Sequence, residues 1–211
     1  MKIGKELEFR TCTDGKYEIK DGVLILKPGT DNKGRPYMLI YKEITNGVKH
    51  FNFEEGVDYF IEYRAKTDMY PYGQIIFIFD WDGLIGGEWC GILNGGTAIE
   101  WGEVGKRIEV YENGNQEIIS TSTASDTTDW NIYKIGLNYY FNRNANATYY
   151  NVVYQKNNEK ELRATYKSSG YRNIGISGRE QLWSWNTYFD WIRIRKEIPG
   201  EIKIENADLG K

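Results

Sequence analysis

Histidine is almost absent from this sequence. His50 stands alone among 211 residues, beside two cysteines, Cys12 and Cys90, and four prolines. One imidazole and two thiols cannot supply the ligands of an ordinary four-coordinate Cys/His zinc centre. They also argue against His-based acid/base or triad chemistry, for which His50 is the sole candidate; it reads more simply as a surface turn residue. A disulfide-stapled scaffold is excluded, since one bridge at most is available, and spacing does not decide whether Cys12 and Cys90 pair. Clustered basic charge is missing too. The net charge is −3 and the pI is near 5.4, so the electrostatic footprint of a nucleic-acid binder is lacking. The densest basic run is "RIRK", Arg193–Lys196. No apolar run approaches the ~20 residues of a membrane span; the longest is "IIFIF", Ile75–Phe79. The opening "MKIGKELEFR" carries no signal-peptide apolar segment. That leaves a start made for the cell interior, or a secreted protein whose leader has been removed.

Good helix formers are also few, with 7 Ala and 10 Leu. What abounds instead is Ile, Val, Thr, Tyr, Phe and Trp, together 76 of the 211 residues. These side chains lose rotamer freedom in a helix and fit a pleated surface. Composition alone therefore favours an all-β fold.

Turn signals recur along the chain. Asp14-Gly15, Asp21-Gly22, Asn46-Gly47, Asp82-Gly83, Asn94-Gly95 and Asn113-Gly114 each offer the positive φ of a tight turn. Short runs of period two lie between them. Tyr17–Lys20 and Val23–Lys27 flank Asp21-Gly22 as a predicted hairpin. Tyr59–Lys66 alternates, with Tyr59, Ile61, Tyr63 and Ala65 on one face. Ile75–Asp80 is an apolar run that predicts a strand buried on both faces. Further strands are expected at Tyr37–Glu43, Lys106–Glu112, Tyr133–Leu137, Ala147–Lys156, Glu161–Lys167, Asn173–Ser177 and Tyr188–Arg195. Ser120–Trp130 reads as a polar loop. Strands at this spacing without crossover helices predict an antiparallel sandwich or barrel. Residues 1–196 read as one such domain, and residues 197–211 as a final edge strand or a linker.

Three stretches point further. They are "YEIKDGVLILKPG" (Tyr17–Gly29), "WNIYKIGLNYYFNRNANATYYNVVYQ" (Trp130–Gln155) and "NTYFDWIRIRK" (Asn186–Lys196). In order and spacing they resemble the concanavalin A-like lectin and glucanase superfamily. The resemblance spans roughly residues 7–196 and implies a jelly roll of two antiparallel sheets. The last stretch is similar to the closing strand of an archaeal and bacterial domain family of unknown function in that superfamily. Such a fold hosts lectins, hydrolases, lyases, adhesion modules and viral proteins, so it does not fix a function.

For a glucanase the resemblance implies an "ExDxxE" carboxylate motif on one strand face. The nearest match is "IEWGE", with Glu100 and Glu103. The central Asp is missing, and an odd spacing sends the two side chains to opposite faces of an unbulged strand. A retaining pair needs carboxyls about 5–5.5 Å apart. Glu88 is the one other partner nearby. Catalysis is therefore not expected, and these groups read as solvated carboxylates. A structural calcium is common in the superfamily. Asp80 and Asp82, in "FDWDG", share a face of an extended chain and offer hard oxygen ligands. A plain hairpin turn at Asp82-Gly83 is the simpler reading, so no cofactor is expected beyond such a calcium.

Aromatic side chains are the remaining candidates. Trp183, Trp185, Phe189, Trp191, Arg193 and Arg195 share parity. In one uninterrupted strand they line one face, with Asp190, Ile192 and Ile194 on the other, unless Asn186 and Thr187 mark a bend. Asp190 is then expected to face the core, as a structural anchor for a loop's amides. Phe189 and Trp191 read as packing residues. Trp183 and Trp185 in "REQLWSWN", with Trp81, Asp82 and Trp89 around "DGLIGG", are the candidate ligand contacts. Flat rings stack on the apolar faces of sugars while neighbouring amides and carboxylates bind the hydroxyls. Asn146-Ala147-Thr148 is the glycosylation sequon.

The expectation is a non-catalytic glycan-binding or adhesion module of a cell or virion surface. Its partner is a glycan, with no nucleic acid and no membrane insertion. Two alternatives stay open. One is a structural or assembly protein (virion decoration, fibre or surface-layer subunit) partnered by neighbouring subunits or copies of itself. There "EIKIEN" in the last residues would add as an edge strand. The other is a glycan hydrolase or lyase.

Overall fold

The computed structural model describes residues 7–10, 15–29, 37–40, 43–45, 48–51, 53–69, 75–81, 96–101, 106–112, 115–122, 126–168, 173–178 and 185–196. Among these are sixteen strands and no helix. One sheet is built from Leu7–Arg10 (β1), Tyr37–Ile40 (β4), Ile75–Trp81 (β8), Gly96–Trp101 (β9), Lys106–Glu112 (β10), Asn115–Ser122 (β11) and Asn173–Gly178 (β15). Its order is β1-β4-β15-β8-β9-β10-β11. The second comprises Lys16–Lys20 (β2), Val23–Lys27 (β3), Asp58–Thr67 (β7), Asn131–Asn142 (β12), Ala147–Lys156 (β13), Leu162–Lys167 (β14) and Thr187–Lys196 (β16). Its order is β14-β13-β12-β7-β16-β3-β2. Glu43–Thr45 (β5) and Val48–His50 (β6) form a separate small ribbon. All pairings are antiparallel, as the scarcity of helix formers predicts.

The alternation in the sequence becomes two faces of a sheet. In β7, Tyr59, Ile61, Tyr63 and Ala65 are buried, while Phe60, Glu62, Arg64 and Lys66 stand on the outer side. β12 sends Tyr133, Ile135 and Leu137 inward, and β13 sends Tyr150, Val152 and Tyr154. The first hairpin forms where Asp21-Gly22 places it. Both residues have positive φ (52° and 82°), the requirement of a type I′ turn, and Lys20 pairs with Val23. In β8 both faces are closed: Phe77 and Phe79 enter the core, and Ile76 and Ile78 are equally inaccessible.

Several expectations are revised. β12 and its hairpin partner β13 run ten register pairs, from Tyr133↔Lys156 to Asn142↔Ala147, so β12 is longer than its apolar segment. The run Tyr37–Glu43 divides between β4 and β5. His50 lies in β6 opposite Glu43, not in a turn. Leu7–Arg10, Gly96–Trp101 and Asn115–Ser122 are strands beyond those expected; Leu7–Arg10 alternates for four residues only, and the other two carry no sustained alternation. Ser120–Ser122 belongs to β11, so the polar stretch read as a loop is in part strand. Cys12, Cys90 and residues 197–211 lie outside the described residues.

Aromatic rings join the two sheets. Tyr63 stacks between Tyr133 (centroids 5.0 Å apart) and Phe77 of the opposite sheet (6.0 Å), with Phe189 tilted against it at 6.0 Å. A second group centres on Tyr150, which stacks on Tyr166 at 5.5 Å and meets Phe79 edge-on at 5.5 Å and Phe53 at 6.1 Å.

Two stability outcomes are expected from this packing. Phe77→Ala removes the ring that carries the inter-sheet stack and should cost about 3–5 kcal/mol. In urea its midpoint falls while the slope stays that of the native chain. Gly136 is the opposite case. It sits in extended β12, and an added Cβ would meet only Val153, at 3.8 Å. Gly136→Ala should therefore raise stability by about 0.4–1 kcal/mol.

Candidate binding surface

The outer face of the second sheet is set by one irregularity in β16. Phe189 pairs with Ala65, and the next register partner, Arg64, belongs to Trp191. Asp190 is the extra residue of a β-bulge, and parity resets across it. Phe189 therefore faces the core, whereas Trp191, Arg193 and Arg195 face outward beside Arg64, Glu62 and Phe60. This corrects the expectation of one shared face. It also corrects Asp190, which does not enter the core. Its Oδ2 accepts from Arg64 Nη1 at 2.7 Å, with both side chains partly exposed (32% and 40%).

Cations and rings alternate on this face. The Arg64 guanidinium lies 4.9 Å over Trp130, with Lys66 Nζ 5.4 Å from the same ring and 5.2 Å from that of Tyr188. Arg193 lies 4.8 Å over Trp191, and Arg195 lies 5.1 Å over Phe60. Such contacts are worth about 0.5–1 kcal/mol each at exposed sites. They hold long side chains in fixed planes that would otherwise sample many rotamers.

The position of Trp130 is fixed from behind. Thr67 N donates to Thr127 O at 2.8 Å, and the two hydroxyls are 2.9 Å apart. Asp126 Oδ1 accepts from Thr128 N and Oγ1 at 2.8 and 2.7 Å. Asn131 Nδ2 donates to Asp129 O at 2.7 Å, and the buried Lys156 ammonium donates to Asp126 O. The Asp126 carboxyl is held below its ordinary pKa, first by the Thr128 backbone N–H, then by the Thr128 hydroxyl, with the charge of Lys156 adding.

At the end of the sandwich where Thr187 pairs with Thr67, a polar chain continues the face. Asp68 Oδ2 accepts from Asn186 N at 3.0 Å and from Asn186 Nδ2 at 2.9 Å. That same amide donates to Tyr188 Oη at 3.3 Å. Desolvation, then the hydrogen bond to Asp68, raises the Tyr188 hydroxyl above its ordinary pKa. Trp185, half-buried, immediately precedes this chain.

The other sequence candidates are distributed differently. Trp81 closes β8 opposite Asn173. It lies beyond Phe79, whose ring meets Tyr150 near the start of β7, so Trp81 and Trp185 stand at opposite ends of the sandwich. Asp82, Trp89 and Trp183 lie outside the described residues, as do Glu88 and Glu103. Glu100 stands in β9 opposite Arg107 and Ile76. The extended chain assumed for Asp80 and Asp82 does not hold at Asp80. It has φ 52° and is the extra residue where β8 passes β15. Its buried carboxylate accepts from Ser168 Oγ at 2.9 Å. Among the described residues no group of three or more His, Cys, Asp or Glu gathers as metal ligands. The cation–ring face was not anticipated. The shared parity of Trp191, Arg193 and Arg195 is legible in the sequence, but Trp191 reads there as a packing residue, and the bulge is what separates this run from the inward Phe189.

Neither a family profile nor a curated relative matches the sequence. Solved structures match its shape. The potassium-bound carbohydrate recognition domain of Emp46p aligns with a TM-score of 0.58 and 12% identity, covering 90% of this chain and 88% of that one. The carbohydrate-binding module CBM66 from Bacillus subtilis aligns at 0.53 and 11%, covering 90% and 96%. A lichenase, a β-1,3-1,4-glucanase from a mouse hindgut metagenome, aligns at 0.55 and 15%, covering 91% and 94%. The fold is thus the antiparallel two-sheet jelly roll of concanavalin A-like lectins and glucanases.

The corner behind Trp130 gives a pH signature. A carboxyl held below its unfolded pKa contributes stability above that value and loses it as pH falls through the folded pKa. Asp126→Asn should be less stable than the native chain at pH 6. The difference should shrink as pH falls below the ordinary Asp value of about 3.9, read from urea midpoints at each pH.

Proposed function

We propose that this chain is a non-catalytic glycan-binding module that works at a cell or virion surface. One observation carries the reading: the Asp68–Asn186–Tyr188 chain beside Trp185. It joins a carboxylate, an amide and a phenol by hydrogen bonds, and the residue before the amide carries an indole. A sugar needs this combination, an apolar face against a ring and a row of donors and acceptors for its hydroxyls. The shape shared with a carbohydrate recognition domain and a carbohydrate-binding module supports it. Trp183 belongs to the same contact by its position two residues before Trp185. Trp81 stands at the opposite end, and with Asp82 and Trp89, its near neighbours in sequence, it is assigned a second contact. The similarity of Asn186–Lys196 to the closing strand of an archaeal and bacterial family is part of the same reading.

No catalysis is assigned. The lichenase shares the shape, but a hydrolase needs two carboxylates facing one cleft. Glu100 and Glu103 have the wrong spacing for that in a regular strand.

A glycan array with the full chain tests the proposal, followed by titration of the best ligand. Trp185→Ala should weaken binding about tenfold, near 1.4 kcal/mol, and Asn186→Ala by a similar factor, with thermal midpoints close to the native value. A chain that binds nothing on the array sinks the reading.

A further inference from the structure

The chain as a whole is acidic, with a net charge of −3, yet the outer face of the second sheet is not. Across its central strands stand Arg64, Lys66, Lys134, Arg193 and Arg195 against Asp58, Glu62 and Asp190. The flanking strands add Lys16, Lys20 and Lys27 against Glu18 on one side, and Arg163 and Lys167 on the other, where Glu161 pairs with Arg163. Six of the seven strands of this sheet contribute, and cations outnumber acids. We infer that this face docks a uronate-bearing polysaccharide, its carboxylates seated on guanidinium groups braced by aromatic rings. The inference rests on the glycan-binding reading and names the class of glycan.

Three features carry it. The first is charge: a positive face on a negative chain attracts a polyanion and orients its approach. The second is geometry. Arg193 over Trp191 and Arg195 over Phe60 are exposed guanidiniums with their planes set by a ring. A planar guanidinium edge matches a planar carboxylate through two parallel hydrogen bonds, and bracing lowers the entropy lost in forming them. The third is dilution. Glu62 and Asp190 interrupt the cations, and neutral groups share the face: Asn138, which donates to Asp58 Oδ1 at 2.6 Å, and Thr165, which donates to Asn151 Oδ1 at 2.7 Å. Duplex DNA, with a charge every ~1.7 Å of its axis, asks for denser cations. Single strands need ring faces for their bases, and here the rings have cations stacked on them. A sugar chain alternates sparse carboxylates with many hydroxyls, and the mixed face suits both.

The experiment is a titration of the full chain with polygalacturonate and with a neutral β-glucan, at about 20 and 500 mM salt. The comparison is the double variant Arg193→Gln with Arg195→Gln. Native protein should bind polygalacturonate at low salt and lose at least tenfold at high salt. The double variant should lose about tenfold at low salt, keep the native thermal midpoint and leave any neutral-glucan binding unchanged. The salt titration needs no variant, so a folding defect in the double variant would not blunt the test. Binding of the neutral glucan alone overturns this inference and leaves the glycan-binding reading standing. Failure with every glycan removes both. Equal or tighter binding of dextran sulfate, single-stranded DNA or anionic vesicles, lost in the same variant, overturns the assignment to uronates.

Discussion

The ring of Tyr63 holds the sandwich at its middle. It belongs to β7, yet it stacks on Phe77 of the opposite sheet, on Tyr133 of the neighbouring strand, and against Phe189 across the other edge. One side chain thereby joins three strands of one sheet to the central strand of the other. Its ring plane lies within 12° of that of Tyr133 and 14° of that of Phe77, so sliding the sheets would disrupt the stack. What the outer face does depends on this, since each inward residue of β7 fixes its outward neighbour. Tyr63 inward puts Glu62 and Arg64 outward.

Much of this was legible in the sequence, and the reason is local. Alternation over Tyr59–Lys66 is a period-two signal that needs no partner to read. Asp21-Gly22 states its own turn chemistry. Two of the strands that escaped notice lack such a signal. Gly96–Trp101 opens on Gly-Thr-Ala, and Asn115–Ser122 ends on Ser-Thr-Ser, so their strand character comes from neighbours already in the sheet. Register overrides propensity there.

The candidate surface was less legible, for a related reason. Lys66 meets both Trp130 and Tyr188, and these stand 64 and 122 residues further along the chain by number. Spacing cannot reveal a pair that only sheet order brings together. The bulges were invisible for a different reason. An extra residue carries no composition signature, and in both bulged core strands, β8 and β16, it is an aspartate in an apolar run. Read by parity, Asp80 shared a face with Asp82 as a calcium candidate, with a plain turn the simpler reading, and Asp190 stood as a buried anchor. In the fold Asp80 accepts from Ser168 and Asp190 from Arg64.

The bulge at Asp190 then reconciles two demands on β16 that a regular strand cannot meet. Its first half must deliver Phe189 to Tyr63. Its second half must deliver Ile192 and Ile194 to the same core, against which both pack. Those residues have opposite parity. Without the extra residue, Phe189 inward would carry Trp191, Arg193 and Arg195 inward with it. Two guanidiniums would be buried among tyrosines and isoleucines, at several kcal/mol each, and the isoleucines would be turned out to water. Adding one residue to the strand costs a ladder hydrogen bond or two and leaves a carboxylate at the kink. That carboxylate is placed where Arg64 can bind it. The same insertion thus completes the core, turns the arginines outward and supplies an acid among them, so the charged face is a direct consequence of how the core is filled.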